Sequence, residues 1–143
     1  DYDAVITAGP TLSEVSGFNH PNHKVVSFAD TIVESAYGRA PSFEDVRELI
    51  TWGEGKDNLL VHCHAGISRS TATAWGISIA NGTDPEEAIR NLIANHPVED
   101  GYFGRAHKRP FYPNQLIVKH LEKMFGFKQH QLLKLINQYG IDF

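Results

Sequence analysis

The sequence has little cysteine, little methionine and no long apolar run. Cys63 is the only cysteine and Met124 the only methionine among 143 residues. A single cysteine excludes an intramolecular disulfide, so Cys63 is either a buried apolar residue or a thiol kept for its chemistry in a reducing compartment, and we expect a cytoplasmic protein. The strictly apolar runs are all short, as in Leu59–Val61. We therefore expect neither a membrane-spanning helix nor a signal peptide within these residues. Because residue 1 is Asp, removal of an upstream segment is compatible with the sequence.

Positive charge is scarce as well. Thirteen Lys and Arg stand against 17 Asp and Glu, a net charge of −4, which argues against a general nucleic-acid binder. The charge is unevenly distributed, since residues 1–60 carry four basic and ten acidic side chains, whereas residues 61–143 carry nine and seven. A positive site for an anionic substrate is therefore permitted in the second half of the chain.

Length and hydrophobic patterning predict one domain that spans residues 1–143. Short β-branched runs between turn residues predict strands, and apolar residues at spacings of three and four predict helices. The predicted strands are Tyr2–Ala8, Lys24–Phe28 and Asn58–His62; the predicted helices are Ser42–Gly53, Ser70–Ala80, Thr83–Asn95, Asn114–Phe125 and Lys128–Tyr139. Strands that alternate with helices predict an α/β fold, with a mostly parallel central sheet flanked by helices.

The most informative stretch reads VHCHAGISRST, residues 61–71, here called the signature segment. It follows a predicted buried strand, turns through Gly66 and enters a helix, so its backbone N–H groups are expected to bind an anion. A cysteine beside a helix N-terminus and a cation has its pKa lowered from about 8.5 to roughly 3.5–7.5. The planar guanidinium of Arg69 suits two phosphate oxygens in a way that the point charge of a lysine does not.

The order His-Cys-x5-Arg-Ser within this segment is the signature of the cysteine-dependent protein tyrosine phosphatase superfamily. The fuller form HCHAGISRST resembles its dual-specificity branch. The order of elements over about Ala4–Asn81 fits that branch, and Arg109-Pro110 with Pro113-Asn114 is similar to a later segment of it. The stretch His96–Lys108, longer than the usual link, and the helix after Gly126 depart from the pattern.

The resemblance implies a phosphomonoester hydrolase with a strand–phosphate loop–helix site. Cys63 would be the nucleophile that forms a cysteinyl-phosphate, and Arg69 would bind the phosphate. Ser70 would hydrogen-bond the sulfur and help it leave, act only as the helix N-cap, or do both. His62 would orient the segment through backbone contacts. The remaining phosphate-binding positions implied by the resemblance are His64, Ala65, Gly66, Ile67 and Ser68.

A general acid must also protonate the leaving oxygen. Asp30 is the best candidate because it follows the second predicted strand directly and matches where the family places its acid. The alternatives are Asp3, Asp100 and Glu34. We interpret Asp57 as a turn residue before the predicted strand Asn58–His62, at the opposite end of that strand from Cys63. We interpret Asp45 as a helix-start residue.

Histidines near Cys63 do not indicate a metal. Adjacent residues of a strand point to opposite faces and only one thiolate exists, so His62, His64, His20 and His23 do not predict a ligand set, and we expect no metal and no cofactor. The basic residues Arg105, His107, Lys108 and Arg109 either line the site or form a solvated loop face.

The substrate class follows from the loop and from the resemblance. The signature segment has no lysine, which family members that act on phosphoinositides tend to carry, so a phosphoprotein or phosphopeptide is favoured. Phosphotyrosine is the first choice, with phosphoserine and phosphothreonine also open. The alternatives are a phosphatase of a non-protein phosphoester such as a phosphoinositide, and a catalytically silent phosphopeptide-binding module. No nucleic-acid or membrane partner is expected, and the oligomeric state is left open.

Overall fold

Among the residues that the structure describes, the strands all lie in the first half of the chain, and helices follow the last strand. The protein is described by a computed structural model that covers residues 2–8, 21–29, 31, 39–63, 68–95 and 113–139. Within these ranges the strands are β1 (Ala4–Ala8), β2 (His23–Val26) and β3 (Leu59–His62), and the helices are α1 (Phe43–Gly53), α2 (Arg69–Ala80), α3 (Pro85–Asn95), α4 (Gln115–Phe125) and α5 (Gln131–Gln138).

The described strands form one parallel sheet in the order β2-β1-β3. Every residue of the central strand β1 is buried, as its apolar sequence AVITA predicts for a strand covered on both faces. In the register, Thr7 lies opposite His62 of β3, and Val5 lies opposite His23 of β2. The α/β architecture with a parallel sheet is confirmed.

The predicted elements are confirmed, and their ends differ by a few residues. Helix α5 begins at Gln131 rather than Lys128, because the backbone of His130 has a φ of 66°, outside the helical region. Helix α2 begins at Arg69 and has 12 residues. None of the helices in the described ranges combines the length and apolar character that a bilayer crossing demands.

Helix α2 packs closely between its neighbours because it carries a glycine where they meet. A Cβ atom at Gly76 would lie 2.6 Å from Leu121 of α4 and 2.7 Å from Ile50 of α1. On α1, a Cβ atom at Gly53 would lie 2.6 Å from Ile77 of α2 and 3.1 Å from Ile6 of β1. These approaches place α1 and α2 together on the face of β1 that carries Ile6.

Side-chain caps explain where several helices begin. Ser42 and Asp45 form the reciprocal capping box at the start of α1, as expected from the sequence. Asn114 caps α4 by accepting a hydrogen bond from Ile117 N at 3.0 Å. Asp84 Oδ2 accepts from Glu86 N at 3.1 Å and Glu87 N at 3.3 Å, which caps α3.

Helix α5 has no cap of its own and takes one from α4. The carboxylate of Glu122, only 4% exposed, accepts hydrogen bonds from the backbone N–H groups of His130, Leu132 and Leu133 at 3.1, 2.8 and 3.4 Å. A negative charge at a helix N-terminus is also favoured by the helix dipole. Glu122 therefore attaches α5 to the rest of the fold.

Replacing Glu122 by alanine should loosen α5 selectively. The change leaves three N–H groups without their carboxylate partner, which we expect to lower the free energy of unfolding by about 2 kcal/mol and Tm by about 4–8 °C. Thermal unfolding with hydrogen exchange of residues 131–139 measures both effects. The control is Glu87→Ala, which removes an exposed acid from α3. Equal losses of unfolding free energy in the two variants would show that the Glu122 cap does not stabilise α5.

Candidate active site

The carboxyl end of β3 places Cys63 against the start of α2. Cys63 follows β3 directly and is 8% exposed, and Ser70 in the first turn of α2 is 5% exposed. The Cys63 Sγ atom donates a hydrogen bond to Ser70 Oγ at 3.3 Å. When the thiol is ionised, the same geometry lets the Ser70 hydroxyl donate to the sulfur. The contact expected from the resemblance is therefore present.

The residue at the N-cap position of α2 is Ser68, so the alternative that Ser70 is the N-cap is wrong. The side chain of Ser68 makes no capping hydrogen bond, and its carbonyl accepts from Ala72 N, Thr71 Oγ1 and Asn114 N at 3.3, 3.1 and 3.1 Å. Ser70 lies one residue inside the helix, where its hydroxyl is directed at the sulfur and not at the backbone.

The guanidinium of Arg69 is held at the same edge of the sheet. Arg69 is 8% exposed, and its Nη1 atom donates to the carbonyl of Phe28 at 3.2 Å. Phe28 follows β2, and Cys63 follows β3; because the strands are parallel, both residues lie at the carboxyl edge, where parallel sheets place ligands. A buried cation in the first turn of α2, at the same edge of the sheet as Cys63, suits an anionic ligand.

His62, the residue before the cysteine, is neutral near pH 7. Burial lowers its pKa below the ordinary 6.5, and a hydrogen bond with the backbone of Cys63 opposes that effect only in part. Its Nε2 atom lies 2.7 Å from Thr7 Oγ1. The backbone contact expected from the resemblance is present, and a neutral ring is suited to orienting the segment rather than to supplying charge.

Two contacts bring the chain on either side of position 30 to the signature segment. Arg69 contacts the carbonyl of Phe28, and the side-chain amide of Asn114 donates to the carbonyl of Thr31 at 3.2 Å. Asn114 N also donates to Ser68 O at 3.1 Å, so this asparagine contacts the signature segment and the chain after β2 together. Asp30 itself lies outside the described residues.

Arg39 and Asp45 connect the chain that follows β2 to the start of α1. Arg39 donates to both carboxylate oxygens of Asp45 and to Ser27 O, while Ala29 N donates to Arg39 O at 2.7 Å. Burial of Asp45 disfavours its charge, but the hydrogen bonds from Arg39 and Ser42 prevail, so the pKa of Asp45 lies below its ordinary 3.8. The chain that follows β2 is thus joined to the start of α1.

Of the alternative general acids, the structure describes only Asp3. Asp3 N donates to Asn58 O at 3.0 Å, before β1 and β3 begin, so Asp3 lies at the opposite edge of the sheet from Cys63. Five residues of strand at about 3.3 Å each put that edge roughly 16 Å away, so the proposal of Asp3 as an alternative acid is wrong. Asp57 is exposed in the turn before β3, as expected.

Several predicted site residues fall in stretches that the structure does not describe. These are the phosphate-binding positions His64, Ala65, Gly66 and Ile67, the acid candidates Asp30, Glu34 and Asp100, and the basic cluster Arg105, His107, Lys108 and Arg109. Their roles stay predictions. Within the described ranges, no group of three His, Cys, Asp or Glu side chains is arranged to hold a metal ion.

Sequence reasoning missed two residues that contact the site. The sequence points to Asn114 only through its resemblance to a family segment, although an asparagine before a helix is a recognisable N-cap. The sequence pattern predicts Thr7 only as one residue of a buried strand. The signal that could have found it is a polar side chain inside an otherwise apolar strand, because a buried hydroxyl requires a partner.

Comparison with known proteins extends these observations. No protein-family model and no curated protein matches this chain. Among solved structures it is similar to the human tyrosine phosphatase-like serine/threonine/tyrosine-interacting protein, with a TM-score of 0.52 and 19% identity over 86% of this chain and 76% of the other. The chain has a tyrosine phosphatase-like fold. In this tyrosine phosphatase-like fold, Cys63 and Arg69 lie at the carboxyl edge of the sheet, where the fold class places ligands.

The ion pair of Asp45 predicts a pH dependence of stability. A carboxyl whose pKa is lower in the folded chain than in the unfolded one stabilises the fold above about pH 4, and this contribution is lost as the pH falls through the folded value. We expect Asp45→Asn to unfold more easily than the parent at pH 6, with the difference shrinking below pH 3.8. Urea unfolding across this range measures it.

The matched control is Glu44→Gln, which neutralises an exposed carboxyl in the same helical turn. Its stability should follow the parent at every pH. A constant difference between Asp45→Asn and the parent from pH 6 to pH 3 would contradict the assignment.

Proposed function

We propose that the protein hydrolyses phosphate monoesters of phosphoproteins, with phosphotyrosine as the best substrate and phosphoserine and phosphothreonine as further candidates. The observation that carries this proposal is the hydrogen bond between Cys63 Sγ and Ser70 Oγ at the start of α2, with the buried Arg69 at the same edge of the sheet. A thiol, a hydroxyl and a cation in this arrangement suit nucleophilic attack on an anionic ester. We place the protein in the cytoplasm, where the lone thiol stays reduced.

The reaction runs as two in-line displacements. In the first, the Cys63 thiolate attacks phosphorus, the P–O bond to the leaving group breaks, and Asp30 transfers its proton to the leaving oxygen. In the second, water attacks the cysteinyl-phosphate, Asp30 takes a proton from that water, and the P–S bond breaks to release phosphate. The Ser70 hydroxyl donates to the departing sulfur, and Arg69 binds the phosphoryl oxygens as their charge is redistributed.

The second candidate is a module that binds phosphopeptides without turnover. The similar human protein is described as phosphatase-like and as an interacting protein, which favours considering such a role. Against it stand Cys63, Arg69 and Asp30, because a silent module usually has a substituted nucleophile, arginine or acid and none of these is missing from the sequence. Hydrolysis of p-nitrophenyl phosphate in the presence of EDTA separates the two candidates.

Changes at Cys63 and Arg69 should have distinct effects on that assay. We expect Cys63→Ser to abolish turnover while vanadate binding persists, because backbone amides and Arg69 still bind the anion. Arg69→Lys should lose about 10²–10³-fold in kcat, because a point charge does not make the bidentate contact that tightens in the transition state. Steady-state kinetics and vanadate titration provide the measurements. Parent-like turnover by Cys63→Ser would exclude Cys63 as the nucleophile and with it the cysteinyl-phosphate mechanism.

The general acid is tested through the leaving group. If Asp30 protonates the leaving oxygen, Asp30→Asn should lower kcat by roughly 10²–10⁴-fold on phosphotyrosine and much less on an ester whose phenolate leaves unaided. The falling high-pH limb of the rate profile should disappear as well. Equal losses on both substrates would make Asp30 structural and direct the search to Glu34 and Asp100.

Asn114→Ser tests whether the contact between Asn114 and Thr31 positions Asp30, and it is compared with Asp30→Asn. Serine keeps an N-cap acceptor for α4 and the backbone N–H to Ser68, and it removes the amide that contacts Thr31. We expect a smaller loss with the same dependence on the leaving group. The losses of Asn114→Ser and Asp30→Asn should not add in the double variant, because both act on one step.

A further inference from the structure

The hydroxyl of Thr7 lies between two histidine rings from the neighbouring strands. Its Oγ1 atom is 2.7 Å from Nε2 of His62 and also within hydrogen-bond distance of Nε2 of His23. Thr7 is 2% exposed, and the two rings are stacked with centroids 6.5 Å apart at 21°. A hydroxyl this buried is therefore connected to the residue beside Cys63 on one side and to β2 on the other.

Sheet topology brings these three side chains to one face. Thr7 is opposite His62 in the register, and His23 is opposite Val5, two residues earlier on the same face of β1. Ile6 of β1 faces α1 and α2, so the cluster lies on the other face of the sheet. Cys63 follows His62, and its sulfur forms a hydrogen bond with Ser70 of α2, which packs on the face of the sheet that carries Ile6, here called the helix face.

The titratable members of the cluster are His23 of β2 and His62 of β3. On the helix face of the sheet, Lys24 of β2 forms an ion pair with Glu48 of α1, and Arg69 of α2 donates a hydrogen bond to Phe28 O. The hydrogen bonds between Thr7 and the two rings hold the cluster together.

The Thr7 hydroxyl can satisfy both rings at once. It carries one proton, which it donates to Nε2 of one histidine, and its oxygen keeps lone pairs that accept the N–H of the other. Either direction of donation connects His62 to His23 through Thr7.

We propose that Thr7 and His23 are positioning residues that hold the His62 ring, and through it the backbone of Cys63, in the orientation that keeps the Cys63 sulfur reactive. This rests on the proposed function, in which Cys63 acts as a thiolate. Without the Thr7 hydroxyl, Nε2 of His62 loses this hydrogen bond and the ring gains freedom to turn. The backbone of Cys63 moves with it, and the sulfur is less well aligned with the anion-stabilising groups at the start of α2.

Alkylation of Cys63 by iodoacetamide tests this without any turnover. Because the chain has one cysteine, the modification reports on Cys63 alone. For Thr7→Val, which keeps the shape and removes the hydroxyl, we expect the pH midpoint of alkylation to rise and the rate at pH 6 to fall by about two- to tenfold. Thr7→Ser should restore the parental profile, and His23→Leu should shift it less, in the same direction.

The matched control is Thr73→Val. Thr73 is 1% exposed and its hydroxyl donates to Arg69 O at 2.8 Å within α2, so this variant loses a buried hydroxyl of the same kind away from His62. Its alkylation profile should match the parent. Circular dichroism of each variant confirms folding, and if Thr7→Val does not fold, His23→Leu and Thr7→Ser carry the test.

The outcomes separate this inference from the proposed function. A Thr7→Val or His23→Leu profile identical to the parent, or an equal shift in Thr73→Val, overturns the positioning role even if the parent hydrolyses aryl phosphates. A parent that hydrolyses no phosphate ester, yet whose alkylation midpoint rises in Thr7→Val and returns in Thr7→Ser, overturns the phosphatase proposal and keeps the positioning role.

Discussion

The arrangement of the candidate site depends on the carbonyl of Ser68. This one oxygen accepts hydrogen bonds from Ala72 N in α2, from the Thr71 side chain and from Asn114 N at the start of α4. Because it joins the starts of two helices, it determines where both N-termini lie relative to β3. Cys63 then meets Ser70 across the junction, and the side chain of Asn114 reaches the chain after β2.

The helices around α2 give this junction its rigidity. Gly76 allows α1 and α4 to approach α2 at distances that no side chain would permit, and Trp75, fully buried, donates to Pro85 O at 2.9 Å and so connects α2 to α3. A helix packed on several sides has little freedom to shift along its axis. The hydrogen-bond distance between Cys63 and Ser70 is therefore maintained by helix packing at Trp75 and Gly76, away from the two residues themselves.

Local signals predicted most of the fold because they act over a few residues. Ser42 and Asp45 satisfy each other three positions apart, and the apolar run of β1 reads as a covered strand in any context. The start of α5 was predicted too early, since apolar spacing is insensitive to the left-handed backbone of His130. The partner that caps α5, Glu122, lies on a different helix and gives no local signal.

The sequence by itself determined the parallel α/β order and the chemistry of the signature segment, because strand and helix periodicity and the residue types of Cys63, Ser70 and Arg69 are properties of neighbouring positions. Only the tertiary structure decided which distant groups meet them. The contacts of Thr7 with His62, of Arg69 with Phe28 and of Asn114 with Thr31 join residues 55, 41 and 83 positions apart. Such contacts depend on sheet order, strand register and helix packing. These arise from the chain as a whole and cannot be predicted from any short segment of it.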